Sequence, residues 1–159
     1  MSSADPASSA CPFCSDGIAD AAFHADAQFL ALHNIAPILP GHSLVIPRRH
    51  VARLFDLPDA EFAAMMLFAR GAARVLGRAF AADGFDWTIQ DGAAAGQTVP
   101  HLHLHVIPRH GGDLPDPGDW YPALIASEDA QIDSRTRPRL SPAEHARITA
   151  RLRGVAERS

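Results

Sequence analysis

Residues 101–107 read His-Leu-His-Leu-His-Val-Ile, and this strict alternation leaves little choice of local structure. Successive side chains of an extended strand point to opposite faces, so a period of two belongs to a strand and not to a helix. A strand here sets His101, His103 and His105 in one row at intervals of roughly 6.5–7 Å, and turns Leu102, Leu104 and Val106 towards the core. Each imidazole has two nitrogens that need partners and titrates near neutral pH, which makes such a row poor packing material. It suits a metal site, or a nucleophilic imidazole flanked by two orienting ones.

A chain of 159 residues normally makes one domain with one core. We expect a disordered Ser/Ala-rich tail over residues 1–10 and a single domain over 11–159. No apolar run approaches the ~20 residues that cross a bilayer. The opening Met1-Ser2-Ser3-Ala4-Asp5-Pro6 lacks the basic-then-apolar pattern of a signal peptide, so a cytoplasmic location is expected, without a membrane partner. A net charge of −4 argues against a broad nucleic-acid surface, which needs a basic excess. All 14 basic residues are arginine. With no lysine for a Schiff base or a phosphate loop, an anionic substrate must be held by Arg, His or amide groups.

The two cysteines stand in Cys11-Pro12-Phe13-Cys14. In a reducing compartment such a pair is a metal or redox motif rather than a structural disulfide. The redox form wants a following helix, whereas Asp16-Gly17 signals a turn. Half a zinc site is the better reading, with two ligands to come from elsewhere.

Along the chain, short apolar stretches near Ile18–His24 and Gln28–His33 suggest a hairpin around Asp26. Ser43-Leu44-Val45-Ile46 reads as a strand ended by Pro47. Pro58 opens the strongest helix, with Phe62, Met65, Met66, Ala69, Ala72, Leu76 and Phe80 at the three-and-four spacing of one buried face, and Gly84 closes it. Strands near Phe85–Gln90 and Leu102–Ile107 flank a Gly/Ala loop. The Pro/Gly/Asp-rich stretch from Pro108 to Pro138 is expected to be a long, partly mobile loop, in which Trp120 and Tyr121 cover a base or pack at a dimer surface. Ser141-Pro142-Ala143-Glu144 is a capping box that begins a last helix, with Ile148, Leu152 and Val155 inward. His24, His33, His110 and His145 carry no evident role.

The run from Gln90-Asp91-Gly92 through Gly96-Gln97-Thr98-Val99-Pro100 to the histidine row and Pro108-Arg109 resembles the signature of the histidine triad (HIT) superfamily. Its wording looks most like the Fhit branch, the dinucleoside polyphosphate hydrolases. Pro40-Gly41-His42-Ser43-Leu44-Val45-Ile46-Pro47 resembles a second block of the family, and Asp56-Leu57 also fits. The resemblance covers roughly residues 11 to 112. It implies an α+β, HIT-like fold, an antiparallel sheet of about five strands with one long and one C-terminal helix, dimerised so that two sheets join.

The resemblance also implies roles. His103 would attack the α-phosphorus of a nucleotide, giving a nucleotidyl-imidazole that water hydrolyses; its other ring nitrogen would donate to an acceptor such as a backbone carbonyl, which fixes the tautomer. His105 would stabilise charge on the phosphate or leaving oxygen, and His42 would support the row. Gln90, Gln97 and Thr98 resemble phosphate contacts, and Asn34 falls where the family binds ribose; read alone, Gln97 is equally a turn residue, and Asn34 before a Pro-punctuated loop reads better as one. Fhit-type proteins generally lack the cysteine pair, whereas many bacterial HIT proteins carry it, with zinc ligands that resemble Cys11, Cys14, His50 and His101. Four such ligands make a closed, structural site. Histidine rather than glutamine at 105 favours hydrolysis over nucleotide transfer, and Thr98 favours the Fhit branch over the phosphoramidase (Hint) branch. The alternatives are that phosphoramidase, a nucleotide-binding regulatory protein, and a redox or scaffold protein built on the cysteines.

Overall fold

In the computed structural model, residues 11–128 and 138–158 are described. Five strands, β1 (Ala22–Ala25), β2 (Phe29–His33), β3 (Ser43–Pro47), β4 (Gly84–Ile89) and β5 (Leu104–Arg109), form one antiparallel sheet in the order β1-β2-β3-β5-β4. Three α-helices accompany it: α1 (Asp59–Phe80), α2 (Trp120–Glu128) and α3 (Pro142–Ala156). This is the expected α+β architecture. The expected tail over residues 1–10 lies outside the described residues.

The β1–β2 hairpin turns where Asp26 stands, because its carboxylate accepts from the amides of Gln28 and Phe29, both at 2.7 Å. Helix α1 buries Met65, Phe68, Ala69, Ala72, Ala73, Val75, Leu76 and Ala79. Together with Val45, Leu102, Leu104, Val106 and Leu152 these make the main core between the sheet and helices α1 and α3. Full burial of a side chain such as Leu76 contributes about 1.5–3 kcal/mol. Phe62, expected inside, is 39% exposed. It lies in the first turn, where the exposed Arg49–Glu61 ion pair shows the helix facing water. A smaller apolar cluster, Ala22, Leu30, Leu32, Leu44 and Ile46, with Phe13 and Ile18 against it, covers the other sheet face.

Three expectations are corrected. Helix α1 ends at Ala81, not Gly84; Ala81 takes a left-handed φ of 53°, while Ala82 N–H donates to Gly77 O and His110 Nε2 bonds Phe80 O. These bonds outweigh the roughly 1–2 kcal/mol that a left-handed alanine costs, and Gly84 instead opens β4. The stretch 108–138 is not one loop, since it contains α2: Pro122 lies in the first turn, where a helix tolerates proline. Before it, Arg109 bonds Asp86, Asp113 and the Pro117 carbonyl, which folds the intervening turn onto the sheet edge. Residues 129–137 of the expected loop lie outside the described residues. Finally, β5 starts at Leu104 rather than Leu102. Continuing the Val45↔Leu104 register would set Leu102 opposite Pro47, which has no N–H to share, so the ladder stops short and Leu102 N–H donates to Val51 O instead.

Helix α3 begins at the capping box foreseen at Ser141 and Glu144 and buries Leu152. It docks on β2 through His145, whose Nε2 donates to His33 O at 2.8 Å. His33 is itself buried and donates Nδ1–H to Asn34 O at 2.9 Å, and burial holds its pKa down to about 4 from 6.5, with nearby His145 adding to the effect. The unfolded chain therefore takes up a proton below pH 6.5 that the folded chain refuses until about pH 4. The His33 contribution is whole above pH 6.5 and is lost as pH falls through that window. Thermal melts from pH 7 to 4.5 should show a falling Tm with a shallower slope in His33→Asn; equal slopes would contradict the assignment.

Candidate active site and metal cluster

The face of β5 opposite α1 carries the histidines. Leu44 and Thr88 flank His105 on the two neighbouring strands, while Val45 and Leu104 point into the main core. Leu102, Leu104 and Val106 are buried there, as the alternation predicts. His101, His103 and His105 are also almost fully buried, at 0, 5 and 3% exposure. Only His105 belongs to the β5 ladder; His101 lies in the bend before it and His103 just ahead of the strand. The rings of His103 and His105 meet edge to face with centroids 5.0 Å apart, closer than an ideal strand spacing, because the side chains lean together.

Hydrogen bonds assign the tautomers. His103 donates Nδ1–H to the His101 carbonyl at 2.7 Å, so its Nε2 keeps a lone pair, and burial moves its pKa down, holding the ring neutral. Ile38 N–H donates to His42 Nδ1 at 3.3 Å; His42 Nε2–H then donates to His105 Nδ1 at 2.9 Å. His105 thus carries its proton on Nε2. One ring with an available lone pair stands beside another that presents a donor, the pairing that attack on a phosphoryl centre requires. His42 is placed by Gly41, whose φ of +84° only glycine adopts readily; a Cβ there would come 2.8 Å from both Phe80 and Pro108.

The predicted substrate residues divide into two groups. Gln90 follows β4, where the register extended one step past Ile89↔Leu104 faces His103. It is 5% exposed, and neither its Oε1 nor its Nε2 has a partner among the described residues. A buried unpaired amide costs about 1–3 kcal/mol, which a ligand that pairs it would recover. Asn34 brings Nδ2 to 3.4 Å from His42 Nε2, while its Oδ1 accepts from Ala36 N–H in a turn. Gln97 instead serves its own loop: Oε1 accepts from Gly92 N–H, and Nε2 donates to Ala52 O and Val99 O. Thr98 is exposed.

Arg53 is a residue that sequence reasoning missed. Its guanidinium pairs with Asp91 at 2.9 Å and lies where a Cβ on Gly92 would sit, and Asp91 Oδ1 also accepts from Leu54 N–H. Residues 51–54 thereby form a template for the 91–102 loop, through Val51 O, Ala52 O, Leu54 N and the Arg53 side chain. The only sequence signal was the acidic residue directly after Gln90, which needed a basic partner from elsewhere in the chain.

A second cluster adjoins the first. Cys11, Cys14, His50 and His101 each offer one ligand atom, all within 4.8 Å of one another. His101 Nδ1 lies 3.4 Å from Cys11 Sγ and 3.5 Å from Cys14 Sγ, and His50 Nδ1 lies 3.4 Å from Cys14 Sγ. Tetrahedral zinc with ordinary Zn–S and Zn–N bonds needs S···N edges of about 3.6 Å, so the donor set fits. His101 Nε2 donates to Pro47 O at 2.9 Å, which turns its Nδ1 towards the sulfurs. Both thiols are free, and burial pushes the Cys11 thiol pKa up. Phe13, between the cysteines, packs on His101 and His103 with both centroid distances 5.6 Å.

The HIT domain model matches residues 16–112, more than half of the chain. The chain belongs to the HIT family. Within the family it is 44% identical over 98 residues to the asymmetrical bis(5'-nucleosyl)-tetraphosphatase of Schizosaccharomyces pombe, covering 62% of this chain and 54% of that one. To the bis(5'-adenosyl)-triphosphatase of Dictyostelium discoideum it is 48% identical over 84 residues, covering 53% of this chain and 56% of that one. This HIT chain thus spans about half the length of such curated relatives. A crystal structure of a Zn-bound histidine triad family protein from Mycobacterium smegmatis superposes with a TM-score of 0.62 at 39% identity, covering 80% of this chain and 99% of that one. If Arg53 latches the loop, Arg53→Ala should speed amide hydrogen exchange across residues 91–97 by roughly tenfold and leave β5 unchanged; equal exchange would show that the latch does not hold the loop.

Proposed function

We propose that this protein hydrolyses dinucleoside polyphosphates at an α-phosphate, through a covalent nucleotidyl-His103 intermediate. The observation that carries the reading is the 2.7 Å bond from His103 Nδ1–H to the His101 carbonyl, which leaves the ring's lone pair at Nε2. In the first step Nε2 bonds to phosphorus while the bond to the leaving phosphate oxygen breaks. The ring becomes cationic, and its Nδ1–H donor then makes a stronger, charge-assisted bond to the carbonyl. His105, backed by His42, presents Nε2–H to the oxygen that gains charge. Water then attacks the same phosphorus, the P–N bond breaks, and the neutral ring and a nucleoside monophosphate are released.

Gln90 and Thr98 contact the phosphates in this reading, with Asn34 at the ribose. Gln90 has the strongest support, since its buried amide lacks partners. Gln97 would act mainly by holding the loop. The cluster of Cys11, Cys14, His50 and His101 holds a structural zinc ion, supported by the donor geometry and the zinc-bound relative. Bound there, zinc would crosslink the N-terminal turn to His50 and His101 and would serve structure rather than catalysis. The working form is a cytoplasmic homodimer joined along β4, the last strand in the sheet order, where Trp87 is 38% exposed.

The test compares kcat/KM for diadenosine triphosphate, diadenosine tetraphosphate and adenosine phosphoramidate in wild type, His103→Ala and His103→Asn. Wild type should prefer a dinucleotide, and both variants should lose at least about a thousandfold. Equal rates in wild type and variants would end the covalent reading, and a preference for the phosphoramidate would move the substrate class to P–N bonds.

A further inference from the structure

We propose that the Cys11–Cys14–His50–His101 cluster positions the reacting histidine, so that metal loading sets how His103 presents its Nε2. The inference rests on the reading of His103 as nucleophile.

His101 belongs to both sites. Its Nδ1 lies at the two sulfurs, its Nε2 donates to Pro47 O, and its carbonyl takes the Nδ1–H of His103. The ring is held from both nitrogens and has no exposed surface. Strand pairing does not hold that carbonyl, because β5 begins only at Leu104. The neighbouring backbone bonds are His101 N–H to Val99 O and Leu102 N–H to Val51 O. The orientation of the His101 peptide therefore rests on two anchors, the Leu102 N–H bond to Val51 O in the segment that His50 heads and the ring of His101 at the cluster.

His50 anchors the other side. It heads the 51–54 segment, whose Val51 O receives Leu102 N–H and whose Ala52 O and Leu54 N–H hold the loop after Gln90. The two histidines of the cluster thus bracket the peptide that carries the His103 acceptor. Phe13 gives a third link, because the turn that sets the sulfurs also lays this ring against His103. A ligand set that loosens frees the His101 carbonyl, the Phe13 ring and the loop template together. A His103 that loses its acceptor samples the Nε2–H tautomer, which has no lone pair at the attacking nitrogen.

The experiment uses the full chain loaded with one equivalent of zinc, and the same protein stripped by a chelator. Metal content is checked by elemental analysis and fold by circular dichroism. Long-range 1H–15N spectra of histidine-labelled protein then read the tautomer of His103. Loaded protein should show His103 as the Nδ1–H tautomer alone; stripped protein should keep its sheet, show a tautomer mixture, and lose about tenfold in kcat. The same tautomer signature with and without metal would overturn the proposal. Should chelation melt the sheet, zinc-supplemented Cys14→Ser decides: a shifted His103 signature supports positioning and an unshifted one overturns it. If neither form cleaves a dinucleoside polyphosphate, the hydrolase reading fails, and the tautomer comparison still decides the positioning claim.

Discussion

The proposed chemistry depends on one hydrogen bond, His103 Nδ1–H to the carbonyl two residues earlier. An unconstrained imidazole exchanges between tautomers, and only one of them offers a lone pair at Nε2. The bond is local, but its acceptor is held from afar. His101 hangs between Pro47 at the end of β3 and the sulfurs of the N-terminal turn, and the peptide after it is tied to Val51. The core of α1 and the sheet supports the row from behind, through Leu102, Leu104 and Val106. Packing, strand termination and side-chain hydrogen bonding thus converge on a single nitrogen.

Pro47 shows how one residue serves several of these ends. Lacking an N–H, it closes the β3–β5 ladder early, and the released chain brings His101 and His103 out of regular pairing. Its carbonyl then fixes the His101 ring. His42 depends in the same way on Gly41, where the backbone approaches Phe80 and Pro108 too closely for any side chain. Neighbouring residues without titratable groups thus remove the histidines' freedom to turn.

Much of this was legible in the chain, for identifiable reasons. Period-two alternation at 101–107 marked the strand and its two faces, and period 3.6 marked α1, because both signals are carried by near neighbours. The Ser141 capping box was readable for the same reason. The grouping of Cys11, Cys14, His50 and His101, foreseen from family resemblance, is met by the geometry. What escaped was set by contacts between distant residues. Arg53 with Asp91, Arg109 with Asp86 and Asp113, and His145 with His33 have no periodicity that links them. Helix α2 escaped because Pro122 reads as a breaker unless its place in the first turn is known. Gln97 illustrates a shared signal: a glutamine in a Gly-rich loop has the same spelling whether it holds phosphate or, as here, its own backbone.

The most direct measurement is to quench the reaction of the full chain with a dinucleoside polyphosphate in base, where a phosphorus–nitrogen bond survives, and to locate the adduct by mass spectrometry. One nucleoside monophosphate should appear on the peptide that contains 101–109, attached at His103 and lost in acid. An adduct on another residue, or turnover without any adduct under conditions that preserve it, would contradict the assignment of His103 as the attacking group.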